Sequence, residues 1–360
     1  MASGSTLSAQ VFAIFCAIQS QQVGSGRLLT GRMIPTIQTC PHCGAPLPVT
    51  RFATVVVCSY CQATIRVDPS SVSASKYHQA WTDWNNPAGG DDGYRVSIAG
   101  THWIGHRLLA RGEISDVYVA SRARWPSELV LLKVLRDADD APLLEKEWLF
   151  LNRLQASAAG ESMDLWRRVP VPVVVDEGNL RCAYRWASGF SHTFEMVRGV
   201  YPDGIPPVSS IWVWRRILEV LAMMRRGGFV HGAILPNHLL IQRGEHGVRI
   251  VGFSCADVQD APLRLVCTDF EDFYPAAALD SKKLTAAMDI VMSARCVTYL
   301  LGGSPGHIPD RVPPRLADLL QRVGTADDKT DADAWQLRNE VGEVGRALFG
   351  RPAFHPIDLR

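Results

Sequence analysis

Apolar positions along the chain change period several times, and each change predicts a new element. Residues 129–135 form a continuous apolar run with Lys133 inside it, which predicts a strand. Leu144, Trp148, Leu151 and Leu154 recur at about i, i+4, i+7 and i+10, which predicts a helix over 141–154. Residues 170–176 and 180–186 predict two more strands, with Gly189 as a hinge after them. A helix is predicted over 212–226. It leads into a His-containing loop, a short strand at 239–241, a turn at 243–247 and a second strand at 248–251. Helical spacing returns at 287–303, 313–323 and 333–348.

Two stretches interrupt this pattern. Residues 68–100 combine Asp-Pro-Ser-Ser-Val-Ser-Ala-Ser with Asn-Asn-Pro-Ala-Gly-Gly-Asp-Asp-Gly and predict a linker. Tyr77, Trp81 and Trp84 make its middle aromatic. Packing back onto the main domain is the ordinary role for such rings, and anchoring a partner is the other. Residues 1–32 hold one short apolar run, 11–18. No basic segment precedes it and no clear small-residue cleavage site follows, so they read as a disordered tail or an extension.

Cysteine spacing adds chemistry. Cys40-Pro-His-Cys43 and Cys58-Ser-Tyr-Cys61 are two knuckles separated by fourteen residues, with a β-rich segment between them. Each knuckle presents two thiolates to one tetrahedral ion, the pattern of a zinc ribbon. Four thiolates leave no open position, which points to a structural zinc; His42 is then surplus. A piece this short cannot bury enough apolar surface to fold alone. Structural zinc supplies on the order of 10–16 kcal/mol in comparable peptides.

Composition narrows the class. With 47% hydrophobic and 20% charged residues, the 360-residue chain is that of an ordinary globular protein. A net charge of +1, and only Arg51 and Arg66 as basic side chains near the knuckles, argue against nucleic acid as a partner. Nine cysteines, an odd number with four in knuckles, favour a reducing, cytoplasmic setting over a disulfide framework. No apolar run reaches the ~20 residues that a membrane helix needs.

Residues 229–256 carry a resemblance. His231-Gly232-Ala233-Ile234-Leu235-Pro236-Asn237-His238 resembles the protein kinase catalytic loop His-Arg-Asp-x-x-x-x-Asn. Gly252-Phe253-Ser254 stands where the family has Asp-Phe-Gly. The resemblance covers about 103–350. It places Gly112 in the glycine-rich loop, with Ala110 and Ser115 at its other two glycine positions. It also places Lys133 and Glu147 as the nucleotide-orienting pair, and Leu131 where a small residue roofs the adenine. Leu151, His231 and Phe253 then fall in the hydrophobic column through both lobes, and Asp289 anchors the catalytic loop. Tyr274-Pro-Ala-Ala-Ala278 resembles Ala-Pro-Glu without its glutamate.

The groups that would do the chemistry differ. The resemblance puts the proton acceptor at Ala233 and the two magnesium ligands at His238 and Gly252. None of the three offers a carboxylate, and imidazole suits magnesium poorly. Asp257 and Asp260 lie beyond the loop, and Glu245 in the hairpin turn.

Together these readings imply an α+β chain with a two-lobed protein kinase-like fold, preceded by a β-rich zinc ribbon. Residues 1–32 are the tail, 33–67 the ribbon (Cys40, Cys43, Cys58, Cys61) and 68–100 the linker. Residues 101–187 are the small lobe, 188–350 the large lobe and 351–360 a C-terminal tail. The implied function is a bacterial-style pseudokinase, a scaffold or regulator of another protein, with an active kinase or its substrate as candidate partners. ATP and magnesium are not expected to bind, and Gly112, Lys133 and Glu147 are a vestigial nucleotide site. Two alternatives stand beside it: an ATP-dependent transferase with a non-standard mechanism, and a nucleic-acid-binding ribbon protein.

Overall fold

The computed structural model describes residues 40, 43, 45, 55–58, 64–66, 94–158, 168–187, 189–242, 247–326, 333–355 and 357–359. The expectations for residues 1–32, His42, Cys61, Trp81, Trp84 and Glu245 fall outside these residues.

Near the knuckles, β1 (Val55–Val57) and β2 (Thr64–Arg66) pair as an antiparallel hairpin, and Cys58 directly follows β1. Next comes a six-stranded sheet. Its strands are β3 (Tyr94–Ile98), β4 (Thr101–Arg111), β5 (Ser115–Arg122), β6 (Trp125–Leu135), β7 (Pro172–Val175) and β8 (Arg181–Arg185). The order across it is β3-β4-β5-β6-β8-β7, every pair antiparallel. The edge strand β3 falls inside 68–100, the stretch read as a linker. Only Val96 and Ile98 of its residues are buried, too short an alternation to stand out from polar neighbours.

Side chains alternate across the sheet with period two. Val130, Leu132 and Ala183 join Val96, Ile98, Trp103 and Ala120 in a small core on one face. Leu135, Cys182 and Tyr184 point the other way, into the main core shared with α1 (Ala141–Ala158). Leu144, Leu151 and Leu154 on α1 are fully buried, and Glu147 lies among them on the same face. At roughly 1.5–3 kcal/mol for each large aliphatic side chain taken out of water, this stripe fixes the helix against the sheet.

The second lobe is mainly helical. It contains α2 (Phe194–Val200), α3 (Pro207–Arg226), α4 (Ala276–Ser281), α5 (Ala286–Leu300), α6 (Pro314–Gly324) and α7 (Ala334–Phe349). Helix α3 starts at Pro207, five residues before the expected Trp212, because proline at a first helical position costs no hydrogen bond. Helix α5 is buried along nearly its whole length and is capped by Thr285, whose Oγ1 accepts from Met288 N. Trp214 of α3 donates to Ser293 Oγ of α5 at 3.0 Å, tying the two central helices together.

A small sheet, order β12-β11-β9, carries the loops of the cleft between the lobes. It comprises β9 (Phe190–Thr193), β11 (Leu239–Gln242) and β12 (Val248–Ile250). A two-residue pairing of β10 (Phe229–Val230) with β13 (Asp257–Val258) closes those loops at their base. Gly189, at the hinge, has φ +84°, and a Cβ there would meet Gln242 Cγ at 2.9 Å, so glycine is required. The C-terminal tail turns back over the large lobe. Ile357 and Leu359 are buried, and the Tyr201 hydroxyl is hydrogen-bonded to the backbone of Asp358. No helix among the described residues is long and apolar enough to cross a membrane.

Candidate functional site

The structure brings Lys133 and Glu147 together. β6 carries the lysine on its inner face and α1 carries the glutamate on its buried stripe, with Nζ 2.6 Å from Oε2. Two further side chains complete the cluster. Ser254 accepts from Lys133 at 2.7 Å and donates to Glu147 Oε2 at 2.8 Å, while Tyr184 donates to Glu147 Oε1 at 2.6 Å. Both glutamate oxygens and two lysine protons are therefore bonded inside the protein. Burial raises the Tyr184 phenol well above its ordinary value, and the neighbouring Cys182 and Glu147 charges reinforce this. In the sequence alone Ser254 has no evident role and Tyr184 no distinguishing pattern. The serine's replacement of a family glycine was the available signal.

The backbone of the His231 loop is held from below. Asp289 accepts from His231 N at 2.7 Å through Oδ2 and from Gly232 N at 2.9 Å through Oδ1. Burial still pushes its carboxyl up to about 7, with these two bonds acting in the opposite direction. Gly232 has φ +75°, and a Cβ there would meet Leu284 Cδ2 at 2.5 Å, which leaves no room for the family's arginine. The His231 ring packs edge-on to Phe253 with centroids 4.6 Å apart, and its Nδ1 accepts from Ala233 N. Burial, then the His238 ring, pulls the His231 pKa down to about 3. Leu151 is buried in the same core, but the ring of α1 that meets Phe253 is Phe150, at 5.8 Å.

The positions matched to the metal ligands and the base also converge. Ala233 is buried, and its carbonyl accepts from His238 Nδ1 at 2.9 Å. That bond turns the imidazole toward Gly252, whose φ is +82°. A Cβ on Gly252 would stand 2.6 Å from His238 Cδ2 and 2.7 Å from its Cγ and Nε2. These donors do not fit magnesium: Gly252 and Ala233 supply no side-chain oxygen, and His238 fills the space between. Asp257 does not substitute for them, since its carboxylate is ion-paired with Lys146 of α1.

The loop above is tied down as well. Gly112 N donates to Ser115 O at 2.8 Å, closing a tight turn between β4 and β5. The charge of Glu113, in that turn, acts on the thiol of Cys267 in the segment after Phe253. Burial and then the Glu113 charge push that thiol up to about 11. Leu131 is partly buried and packs against the main core. Just before Pro275, Arg295 of α5 donates to Tyr274 O at 2.7 Å and Asp272 O at 3.1 Å.

A separate group lies at the knuckles. The sulfur atoms of Cys40, Cys43 and Cys58 are buried and lie within 4.8 Å of one another. Cys43 and Cys58 Sγ are 3.7 Å apart. A tetrahedron with 2.3 Å metal–sulfur bonds has an edge of about 3.8 Å, so these three thiols can hold a metal ion.

These two lobes make a protein kinase-like fold. The chain is similar to the solved BubR1 kinase domain at 13% identity and a TM-score of 0.54, over 77% of this chain and 92% of that one. It is also similar to vaccinia related kinase 3, at 15% identity and a TM-score of 0.57, over 79% of this chain and 99% of that one. No protein-family model matches the chain, and no curated protein matches it by sequence.

Proposed function

We propose that the chain is a catalytically silent kinase-like protein that works by binding another protein. The observation that carries this reading is the placement of the His238 ring: it stands in the space that a side chain at Gly252 would need. Without a carboxylate at 233, the ~10²–10⁴-fold contribution of a general base is missing too. Two apolar side chains are exposed beside the Lys146–Asp257 ion pair, Leu149 one helical turn from Lys146 and Val258 next to Asp257. We take Leu149 of α1 and Val258 of β13 as the outward apolar positions that a protein partner would cover. At the N-terminus, Cys40, Cys43, Cys58 and Cys61 hold a structural zinc that folds the ribbon.

The test is thermal unfolding of the full chain titrated with ATP, with and without magnesium. No magnesium-dependent stabilisation is expected. A binding site filled to 100 Kd would add ~2.7 kcal/mol, and a shift of that size that requires magnesium would defeat the proposal. A second reading, magnesium-independent nucleotide binding, draws on the intact Lys133–Glu147 pair. It predicts equal stabilisation with and without the metal, abolished by Lys133→Met.

A further inference from the structure

The six-stranded sheet of the small lobe is buried on both faces, and α1 covers only one of them. On the other face Ile98, Trp103, Ala120, Val130, Leu132 and Ala183 are each at most 1% exposed. Every described residue that joins this cluster, the half-buried Tyr118, Val134, Val173 and Val174 included, belongs to a strand of the sheet itself. Side chains on one face of a sheet shield each other's flanks and leave their outward ends bare, so an apolar face this dry needs a second layer over it. The burial is that of a single chain, so the layer comes from this chain and not from a partner. It also has an edge. At the start of β3, Tyr94 is stacked on Tyr118 at 5.3 Å and remains 37% exposed.

Where the chain leaves and re-enters the described residues selects the layer. Residues 159–167 run from α1 to Arg168 and Val169. Arg168 is ion-paired with Glu219 of α3, and Val169 lies in the main core, so both ends of that loop belong to the other face. Residues 1–39 end at Cys40, whose knuckle is bonded through Cys43 O to Phe354 of the C-terminal tail. Residues 67–93 run straight into β3, the edge strand that gives Ile98 to the covered face. Within them Tyr77, Ala80, Trp81 and Trp84 recur at i, i+3, i+4 and i+7, the spacing of one helical face. Lys76, His78, Gln79, Thr82 and Asp83 fall on the opposite side of such a helix, and Pro87 follows its end. The nine residues 85–93 reach up to about 30 Å. The strands from β3 to β8 span about 19 Å at ~4.8 Å per step, so the stripe has the tether to reach any part of the face.

We propose that residues 76–84 form a helix whose Tyr77, Ala80, Trp81 and Trp84 stripe docks on the outer face of the small-lobe sheet, over Trp103, Val130 and Leu132. The small lobe is then a three-layer unit, with this helix on one side of the sheet and α1 on the other. Two tryptophans supply the large apolar area that a single helix needs to seal a sheet of this width. The docking assigns Trp81 and Trp84 to the fold rather than to a partner.

Photocrosslinking of the full chain carrying Trp81→p-benzoylphenylalanine tests the contact. Mass spectrometry is expected to find the crosslink within one chain, on peptides of β3 to β6 or of β8. A crosslink only to the large lobe, to the ribbon or to a second copy, or no crosslink at all, overturns the proposal. Thiol labelling gives an independent reading. Val130→Cys places a thiol on the covered face, and Val341→Cys places one in the buried core of the large lobe as a control. With Trp81→Ser and Trp84→Ser together, a water-soluble maleimide should modify position 130 at least tenfold faster than in the chain with both tryptophans, while position 341 stays protected. Equally slow labelling in the two backgrounds would mean that the sheet seals its own face, and it too overturns the proposal. Where a labelling variant unfolds outright, which a reactive position 341 reveals, the crosslink alone decides.

Discussion

His238 occupies the space that a side chain at Gly252 would need. Its ring atoms lie 2.6–2.7 Å from the position of a Cβ at 252, and the Nδ1 bond to Ala233 O holds the ring there. The two substitutions are therefore coupled. Gly252→Asp must place a side chain at φ +82° and displace the ring, at a cost on the order of 3 kcal/mol. In a His238→Ala background the ring is gone and only the backbone strain remains. A double-mutant cycle in urea should give a favourable coupling of about 1–2 kcal/mol. Additive effects would mean that the ring moves aside without resistance.

The buried ion pair below predicts unequal losses. Lys133→Met leaves the Glu147 carboxylate buried with two hydroxyl donors and no cation, and breaking such a pair costs roughly 3–5 kcal/mol. Ser254→Gly removes one hydroxyl from a network that keeps its charges, at a cost of about 1–2 kcal/mol. Chemical denaturation of the two variants ranks them. A serine loss as large as the lysine loss would make Ser254 the centre of the network.

How far the sequence revealed this site depends on the kind of interaction. Lys133 and Glu147 were legible because the resemblance to the kinase strand and helix implies the pair; periodicity alone gave only the strand and the helix that carry them. Ser254 and Tyr184 were not, because a hydroxyl gains its role only when a third element delivers a charge to it. The charge of Glu113 acts on Cys267 across two loops about 150 residues apart, and neither has a periodic pattern to betray it. Phe150, beside Leu151 in the same core, adds a ring against Phe253 that the apolar stripe alone does not reveal. The edge strand β3 was hidden for the opposite reason, since two buried side chains in a polar stretch make too weak an alternation. Large elements with long apolar faces were clear, including α1, α3 and α5.

Two neighbouring groups, Asp289 of α5 and His231 of the loop it holds, oppose each other as pH changes. Asp289 has its carboxyl raised by burial from 3.8 to about 7. Within that window the folded chain keeps a proton that the unfolded chain has lost, so its contribution to stability falls as pH rises. His231 has its pKa lowered, again by burial, from 6.5 to about 3. Between those values the unfolded chain takes up a proton that the folded chain refuses, so this contribution rises with pH. The slopes cancel in part between about pH 4 and 6.5. Asp289→Asn removes only the first, so its urea midpoint should climb more steeply with pH than that of the wild type. Parallel curves would show that the carboxyl titrates at its ordinary value.

The knuckle and the C-terminal tail form the last coupling. Phe354 N donates to Cys43 O at 2.5 Å, so the peptide that positions one sulfur also receives the tail. Cys40 N donates to Ala45 O at 2.7 Å, which sets the turn of the same knuckle. Metal bound by Cys40, Cys43 and Cys58 would hold that carbonyl in place. Removing the metal returns mutually repelling thiolates to a short segment without a core of its own. Elemental analysis should find one zinc per chain. Chelation should then speed hydrogen exchange at the Phe354 amide by at least tenfold, while the amide of Leu301, bonded to Val297 O in the large lobe, stays protected. Cys58→Ser should reproduce the chelated pattern without chelator. An unchanged Phe354 amide in the metal-free chain would show that Ile357 and Leu359, buried further along the tail, hold it without help from the ribbon.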